Sequence, residues 1–340
     1  MKRLLRHSLA ALAAALLAAC AAPPQKPATT PGGAYAGTAA HADDVAASGK
    51  LPAYRRVAPL QGALTLSGSS AVSTFARAWG AAFQRIYPNA AVNVVAKSSS
   101  SAIGDMAANP AIIGMTSRAL NAAERERFAK QHGAPPLELR VAIDAVAIYV
   151  FKDNPLKSLT LAQLGRIYAA TPKNGAPIER WGQIGLDGAW AEREIGLAGF
   201  DAGRGAYEIM RDLVLRGGDF HSNKSIEPVS TSVVQAVGVD PGAIGYASVY
   251  FRTARTRVLP IQTASGELAG PTEADSASGT YPLARYLYLH LGTPKGGVEN
   301  MAREFLRFVL SEEGQNVARA SGAFAIAPAL AHQQRGALAQ

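Results

Sequence analysis

Residues 64–83 read LTLSGSSAVSTFARAWGAAF. Leu64, Thr65 and Leu66 predict a short strand that runs into Ser67, Gly68, Ser69 and Ser70. From Val72 the apolar residues fall at Phe75, Ala76, Trp79, Phe83 and then Ile86, the spacing of one helix face. The same rhythm follows twice more. Residues 92–96 predict a second strand, ending in Lys97 and the serines 98–101, with Ile103 and Met106 marking a short helix. Residues 112–115 predict a third, ending at Thr116, Ser117 and Arg118. Asn121 then stands as an N-cap, with Glu124 three residues on in capping-box position ahead of Phe128. Strand, polar turn and helix, repeated three times, predict an α/β sheet whose strand ends face one crevice.

Residues 141–151 form a long apolar run interrupted by one charge, Asp144, and are expected to cross from one lobe to another. Helices are expected at 161–169, 205–215 and 232–237, and strands at 194–200 and 244–249. Val298, Met301, Ala302, Phe305, Leu306 and Val309 form an amphipathic stripe after the chain returns. A last helix is expected at 312–320, with Phe324, Ile326 and Pro328 in a non-helical segment. The domain expectation is therefore lobe 1 over 60–145, lobe 2 over 146–247, a return to lobe 1 over 248–330 and a disordered tail over 331–340.

Each turn could hold a ligand or serve a humbler purpose. Ser69 and Ser70 precede a helix whose first N–H groups lack intrahelical partners, so hydroxyls and amides together make an anion site; the alternative is simple capping by one serine. In the run 98–101, Ser99 and Ser100 are the central candidates, against a merely flexible loop. Arg118 could bind an anion with paired charge-assisted bonds or pair with Asp144 or another acid. A buried Asp144 needs partners. It could accept a proton from hydrogen phosphate while rejecting fully ionised sulfate, or take backbone N–H bonds near the hinge. In 201–206, Arg204 could close over an anion or lie at the surface, and Gly203 and Gly205 permit close backbone approach.

The formal charge is +9 over 340 residues, which favours anions in general and names none. No compact basic and aromatic cluster suits a nucleic-acid groove, and no Cys/His spacing suits zinc. Neither a cofactor nor a metal is expected. The histidines do not converge, and Ser67-Gly68-Ser69 is not the G-x-S-x-G elbow of a hydrolase, so binding is expected and not catalysis.

The first twenty residues, MKRLLRHSLAALAAALLAAC, place Lys2, Arg3 and Arg6 before an apolar core too short to span a bilayer stably. Leu17-Ala18-Ala19-Cys20 resembles a bacterial lipobox, which implies a signal peptide over 1–19 and acylation of Cys20. Residues 20–59, rich in Ala, Pro, Gly and Thr, are expected to be a flexible tether. Cys20 is the only cysteine, so no disulfide can form within the chain. Ala21 after it resembles outer-membrane sorting in a Gram-negative envelope, on the periplasmic side.

From Leu64 to Pro328 the chain resembles the periplasmic phosphate-binding proteins of phosphate ABC transporters, the PstS-like family. The resemblance is carried by residues 64–83 together with IIGMTSRALNAAE, VAIDAVAIYVFKDNPLKSLTLAQLGRIYAA, IGYASV, YPLARYLYLH and EFLRFVLSEEGQ, in that order. It implies a type II two-lobe periplasmic-binding-protein fold that clamps inorganic phosphate and delivers it to a membrane permease. Matched residue by residue, it implies ligand contacts from Ser69, Ser70, Ser99 or Ser100, Ser117, Arg118 and Asp144. The second lobe departs from the pattern. Where the family shows Arg-Glu, a small residue and then Gly-Ser-Gly-Thr, this chain has Phe200-Asp201-Ala202-Gly203-Arg204-Gly205-Ala206. The usual arginine and both hydroxyls are gone, and Arg204 could restore the charge from a new position.

The expectation is a monomeric, lipid-anchored receptor for phosphate or a related oxyanion, with an ABC permease as partner and no enzymatic activity. The alternative is a non-transport envelope or surface interaction protein with a degenerate anion site. A hydrolase of phosphate esters would need a base or metal ligands around Ser69 that the sequence does not offer.

Overall fold

Strand β1 (Gly62–Ser69) runs directly into helix α1 (Ser70–Ile86). The structure, a computed structural model, describes residues 49–57, 59–202, 205–251, 253–292 and 300–338. Helix α1 buries Val72, Phe75, Ala76, Trp79 and Phe83, the face that the spacing predicts. Each such large side chain contributes roughly 1.5–3 kcal/mol on burial. The Trp79 indole N–H also donates to the Gly314 carbonyl at 2.7 Å, pinning the helix to a distant part of the chain.

Strands β2 (Ala90–Lys97) and β3 (Ile113–Thr116) flank β1, both parallel to it. Helices α2 (Ser99–Ala108) and α3 (Ala122–His132) follow them. The capping box at Asn121 forms as predicted: its side chain accepts from the Glu124 N–H, and the Glu124 carboxylate accepts from the Asn121 N–H, both at 2.9 Å.

Strand β4 (Leu137–Phe151) is the crossing element. Its residues 137–145 pair antiparallel with β12 (Ala284–Leu291), which also pairs with β3. Its residues 146–151 pair instead with β8 (Ala243–Ser248) and β9 (Thr256–Leu259). β6 (Gly196–Gly199) and β7 (Ser225–Ile226) extend the second half, giving the order β2-β1-β3-β12-β4-β8-β6-β7. A small sheet joins β5 (Leu159–Thr160), β10 (Ile261–Gln262) and β11 (Leu268–Ala269).

Two separate apolar cores make this one sheet into two lobes. Trp79, Phe83, Leu289 and Phe305 belong to the first, Tyr149, Tyr168, Trp181 and Ile244 to the second. Helices α4 (Leu161–Tyr168), α5 (Gly205–Ile209), α6 (Ser230–Val239) and α7 (Glu273–Ser278) come next, and α5 continues as a π-helix over Met210–Val214. Helices α8 (Asn300–Val309), α9 (Glu312–Ala320) and α10 (Pro328–Ala337) close the chain. Among the described residues no helix is long and apolar enough to cross a membrane.

Three segment boundaries differ from expectation. The return to lobe 1 falls near Ala284 and not at 248, because β9 pairs with β4, and Leu259, Ile261, Tyr281 and Leu283 all pack in the second core. The tail expected to be disordered over 331–340 is helical through Ala337, with Pro328 in the first turn, where a missing N–H is harmless. Its Gln334 side chain accepts from the Arg140 N–H and donates to the Arg140 carbonyl, both at 2.7 Å.

The third difference lies at the other end of the folded part. Within the stretch expected to be tether, residues 51–57 pack on lobe 1. The Tyr54 hydroxyl donates to Glu304 at 2.7 Å, its ring meets Phe308 edge-on, and the Val57 N–H donates to the Tyr87 hydroxyl. Tyr54 thus satisfies a carboxylate that is itself buried. The signal peptide, Cys20 and Val298 lie outside the described residues.

Candidate functional site

The C-terminal ends of β2, β1 and β3 lie side by side, with Ser69 opposite Lys97 and Gly68 opposite Met115. This is where an α/β sheet presents loops and helix starts to a ligand. Gly68 makes the close approach possible. Its φ is +136°, and a Cβ there would stand 2.1 Å from the Met115 carbonyl oxygen.

Ser69 is buried and occupies the N-cap position of α1, yet its side chain makes no cap hydrogen bond. Ser70 donates its hydroxyl across the lobes to Glu208 Oε1 at 3.3 Å. The serine run divides its labour. Ser98 and Ser101 form a reciprocal capping box on α2. Ser100 is exposed, with its hydroxyl 3.2 Å from that of Ser98. Ser99 instead accepts from the Ser117 N–H at 3.1 Å, with the two hydroxyls 3.2 Å apart. Simple capping, weighed for the first turn, occurs at the second.

Arg118 turns toward α3. It makes two bonds of 2.8 Å to the Glu124 carboxylate and one to the Ala119 carbonyl. The bonds from Arg118 hold the Glu124 carboxyl below its ordinary range, and the same bonds raise Arg118. The acid partner considered in the sequence exists, but it is Glu124 and not Asp144.

Asp144 faces Arg285, its antiparallel neighbour on β12, with Nη2 3.9 Å from Oδ2. Two further carboxylates surround the same guanidinium: Glu208 at 4.0 Å and Asp212 at 3.7 Å. Both come from the lobe 2 helix that opens at Gly205. Nη2 also donates to the Gly205 carbonyl at 3.3 Å, whereas Nε is buried with no hydrogen-bond partner among the described residues. Gly205 lies so close that a Cβ there would be 3.2 Å from Asp144 Oδ2. Arg204 lies outside the described residues.

A cleft of about 300 Å³ opens at this point. Asp144 and the start of α1 at Ala71 line one side; Val146, Phe200, Gly205 and Val229 line the other. The structure thus gathers Ser70, Asp144 and Gly205 around Arg285 and Glu208, and joins Ser99 to Ser117 as a second pair. It leaves Ser100 and Arg118 on other partners. Sequence reasoning missed Arg285, Glu208 and Asp212. Arg285 was readable as a lone cation inside the apolar strand YPLARYLYLH, but its partner required the β4–β12 register.

Burial pushes the Asp144 carboxyl above its ordinary value of 3.8; Arg285 opposes the shift and Glu208 reinforces it. The sign follows directly. A carboxyl raised in the folded protein contributes stability that is present below about 3.8 and lost as pH rises through the raised value. Asp144→Asn is therefore expected to melt above the parent at neutral pH. The gap is expected to close in acid, as circular-dichroism melts across pH would show. An Asn variant that melts lower at neutral pH would contradict the argument.

Hydroxyls, a helix start, one guanidinium and three carboxyls thus converge at the cleft. The fold, two lobes built on one sheet with a cleft beside the crossing strand, is that of the two-lobe periplasmic binding proteins. A family model described as PBP superfamily domain matches residues 53–313. The Phosphate-binding protein PstS of Pseudomonas aeruginosa is 33% identical over 271 residues, covering 78% of this chain and 84% of that protein. The chain belongs to the PBP superfamily and, within it, to the PstS-like family.

Solved structures agree on the fold. An ABC-type phosphate transport receptor from Vibrio cholerae aligns with a TM-score of 0.62 at 22% identity, over 77% of this chain and 99% of that one. A possible phosphate binding protein from Planctomyces limnophilus aligns with a TM-score of 0.71 at 22% identity, over 82% and 98%.

Proposed function

We propose that this protein captures inorganic phosphate, or a closely related oxyanion, between its lobes and passes it to an ABC permease. The observation that carries the reading is the Asp144–Arg285 pair beside the start of α1, facing the second-lobe helix across the cleft. Ser69 and Ser70 supply hydroxyls at the helix start, and Ser99 and Ser117 supply more at the neighbouring strand ends. Asp144, as carboxylate, accepts the hydroxyl hydrogen of hydrogen phosphate and repels sulfate, which carries none at neutral pH. Closing the lobes brings Gly205 and its helix onto the anion. No bond is made or broken in this cycle; oriented donors perform recognition. The PstS relative in Pseudomonas aeruginosa, a phosphate-binding protein by name, supports the ligand class.

The same reading places a lipid on Cys20 and the protein on the periplasmic side of the outer membrane. Metabolic labelling with a radioactive fatty acid, lost in Cys20→Ser, tests the anchor.

Calorimetry on a soluble form beginning at Ala21 tests the ligand. Phosphate is expected to bind at micromolar or tighter affinity, and sulfate to give no heat. Ser69→Ala and Ser99→Ala are each expected to weaken phosphate by roughly ten- to a hundredfold, since a hydrogen bond to a charged group is worth about 1.5–3 kcal/mol. A folded protein that gives no heat with phosphate overturns the receptor reading.

A further inference from the structure

Glu208 holds two of the donors an incoming anion would use. One carboxylate oxygen accepts the Ser70 hydroxyl at 3.3 Å, and the other lies 4.0 Å from the Arg285 guanidinium. A carboxylate bridging a helix-start serine and an arginine presents to them what an oxyanion would present. We infer that Glu208 is a built-in competitor, which sets phosphate affinity by occupying Ser70 and Arg285 until the anion displaces it. The inference rests on the phosphate reading of the cleft.

Charge makes displacement necessary. Asp144, Glu208 and Asp212 surround the Arg285 guanidinium and Arg211 pairs with Asp212, so with all three acids ionised one negative charge is left uncompensated. A phosphate dianion cannot join it without removing or neutralising a carboxylate. Asp144 is fixed in the middle of β4, with its backbone in register with β12. Asp212 already has a cation of its own, since Arg211 donates to it at 3.0 and 3.1 Å. Among the described residues the ion pair of Glu208 is with the shared Arg285, while Arg211, which also feels its charge, is hydrogen-bonded to Asp212.

Glu208 also stands at a break in the helix. It belongs to the five-residue turn of helix Gly205–Ile209, which gives way at once to the π-helix Met210–Val214. Such π segments interrupt the regular ladder and recur at functional sites. Its side chain is 23% exposed, so a rotamer change can carry the carboxylate into water. Arg285 is ready for the exchange: its hydrogen bonds in the cluster go to the Gly205 carbonyl, and its Nε is unpartnered among the described residues.

The test is calorimetric titration of inorganic phosphate into the full soluble chain and into Glu208→Gln and Asp212→Asn, at one pH and salt concentration. Gln keeps the size of the side chain and its bond to Ser70 while removing the charge. Glu208→Gln is expected to bind phosphate at least about tenfold more tightly. Asp212→Asn is expected to stay within about threefold of the parent, because Arg211 already meets its charge. Glu208→Ala, which also frees Ser70, is expected to tighten binding as well, and thermal melts establish that each variant is folded.

Unchanged or weaker binding in folded Glu208→Gln, with a parent that binds phosphate, overturns the competitor and leaves the receptor reading intact. A parent that gives no heat beside a Glu208→Gln variant that binds supports the competitor directly. Silence from both overturns the two readings together.

Discussion

Gly68→Ala is expected to lower the melting temperature by about 6–15 °C, corresponding to about 3–5 kcal/mol, and to weaken phosphate binding with it. Two penalties combine. At φ +136° a side chain is strained whatever the available space, and the added methyl would sit 2.1 Å from the Met115 carbonyl oxygen and 2.9 Å from Ala102 Cβ. The obstacle on one side is backbone and cannot swing away. β1 would have to part from β3 where Gly68 pairs with Met115, next to Ser69. The helix start and the serines would move with it, so stability and affinity fall together. A variant melting within about 2 °C of the parent, with unchanged affinity, would mean that the strand ends are far softer than this contact implies.

Arg285→Gln is the second large effect. The guanidinium is 11% exposed and sits between three carboxylates, two of them mostly buried. Removing one partner of a buried charge cluster typically costs about 3–5 kcal/mol, because the remaining charges stay without compensation. Here the acids would also repel one another. The loss is expected in urea unfolding at neutral pH and should shrink in acid, where Asp144, already pushed above 3.8 by burial, takes up a proton early. Combining Arg285→Gln with Glu208→Gln should recover part of the loss, a coupling that a double-mutant cycle isolates. If the double variant is as unstable as the sum of the singles, the acids do not act as a cluster.

These two residues also mark how far the sequence could be read. The three strand–turn–helix units were legible because apolar spacing in helix α1 and strand β4 is set by local periods. The capping box at Asn121 was legible for the same reason: both partners lie within four residues. Asp144 was found because a charge in an apolar run needs a partner. That partner, Arg285, lies on a strand 141 positions away by number, and only the antiparallel register brings them opposite.

The serine run shows the converse limit. Four identical residues at 98–101 gave no basis for separating caps from the one, Ser99, that reaches Ser117. Arg118 was ambiguous because Glu124 was already committed in the sequence to the capping box, and a carboxylate has enough lone pairs for both duties. At the C-terminus, few large apolar residues and a frayed composition hid a helix that is held by Gln334 on the Arg140 backbone.

The strap formed by residues 51–57 gives the molecule a load path. The strap is bonded to Tyr87 and Glu304 and, through the Tyr54 N–H, to Glu313, all in lobe 1. Tension applied through the preceding part of the chain would therefore enter lobe 1 alone. It would not pass through the point where β4 changes partners between Ala145 and Val146. Were the protein held by that end, as the anchored reading proposes, lobe 1 would be the stationary jaw and lobe 2 the free one.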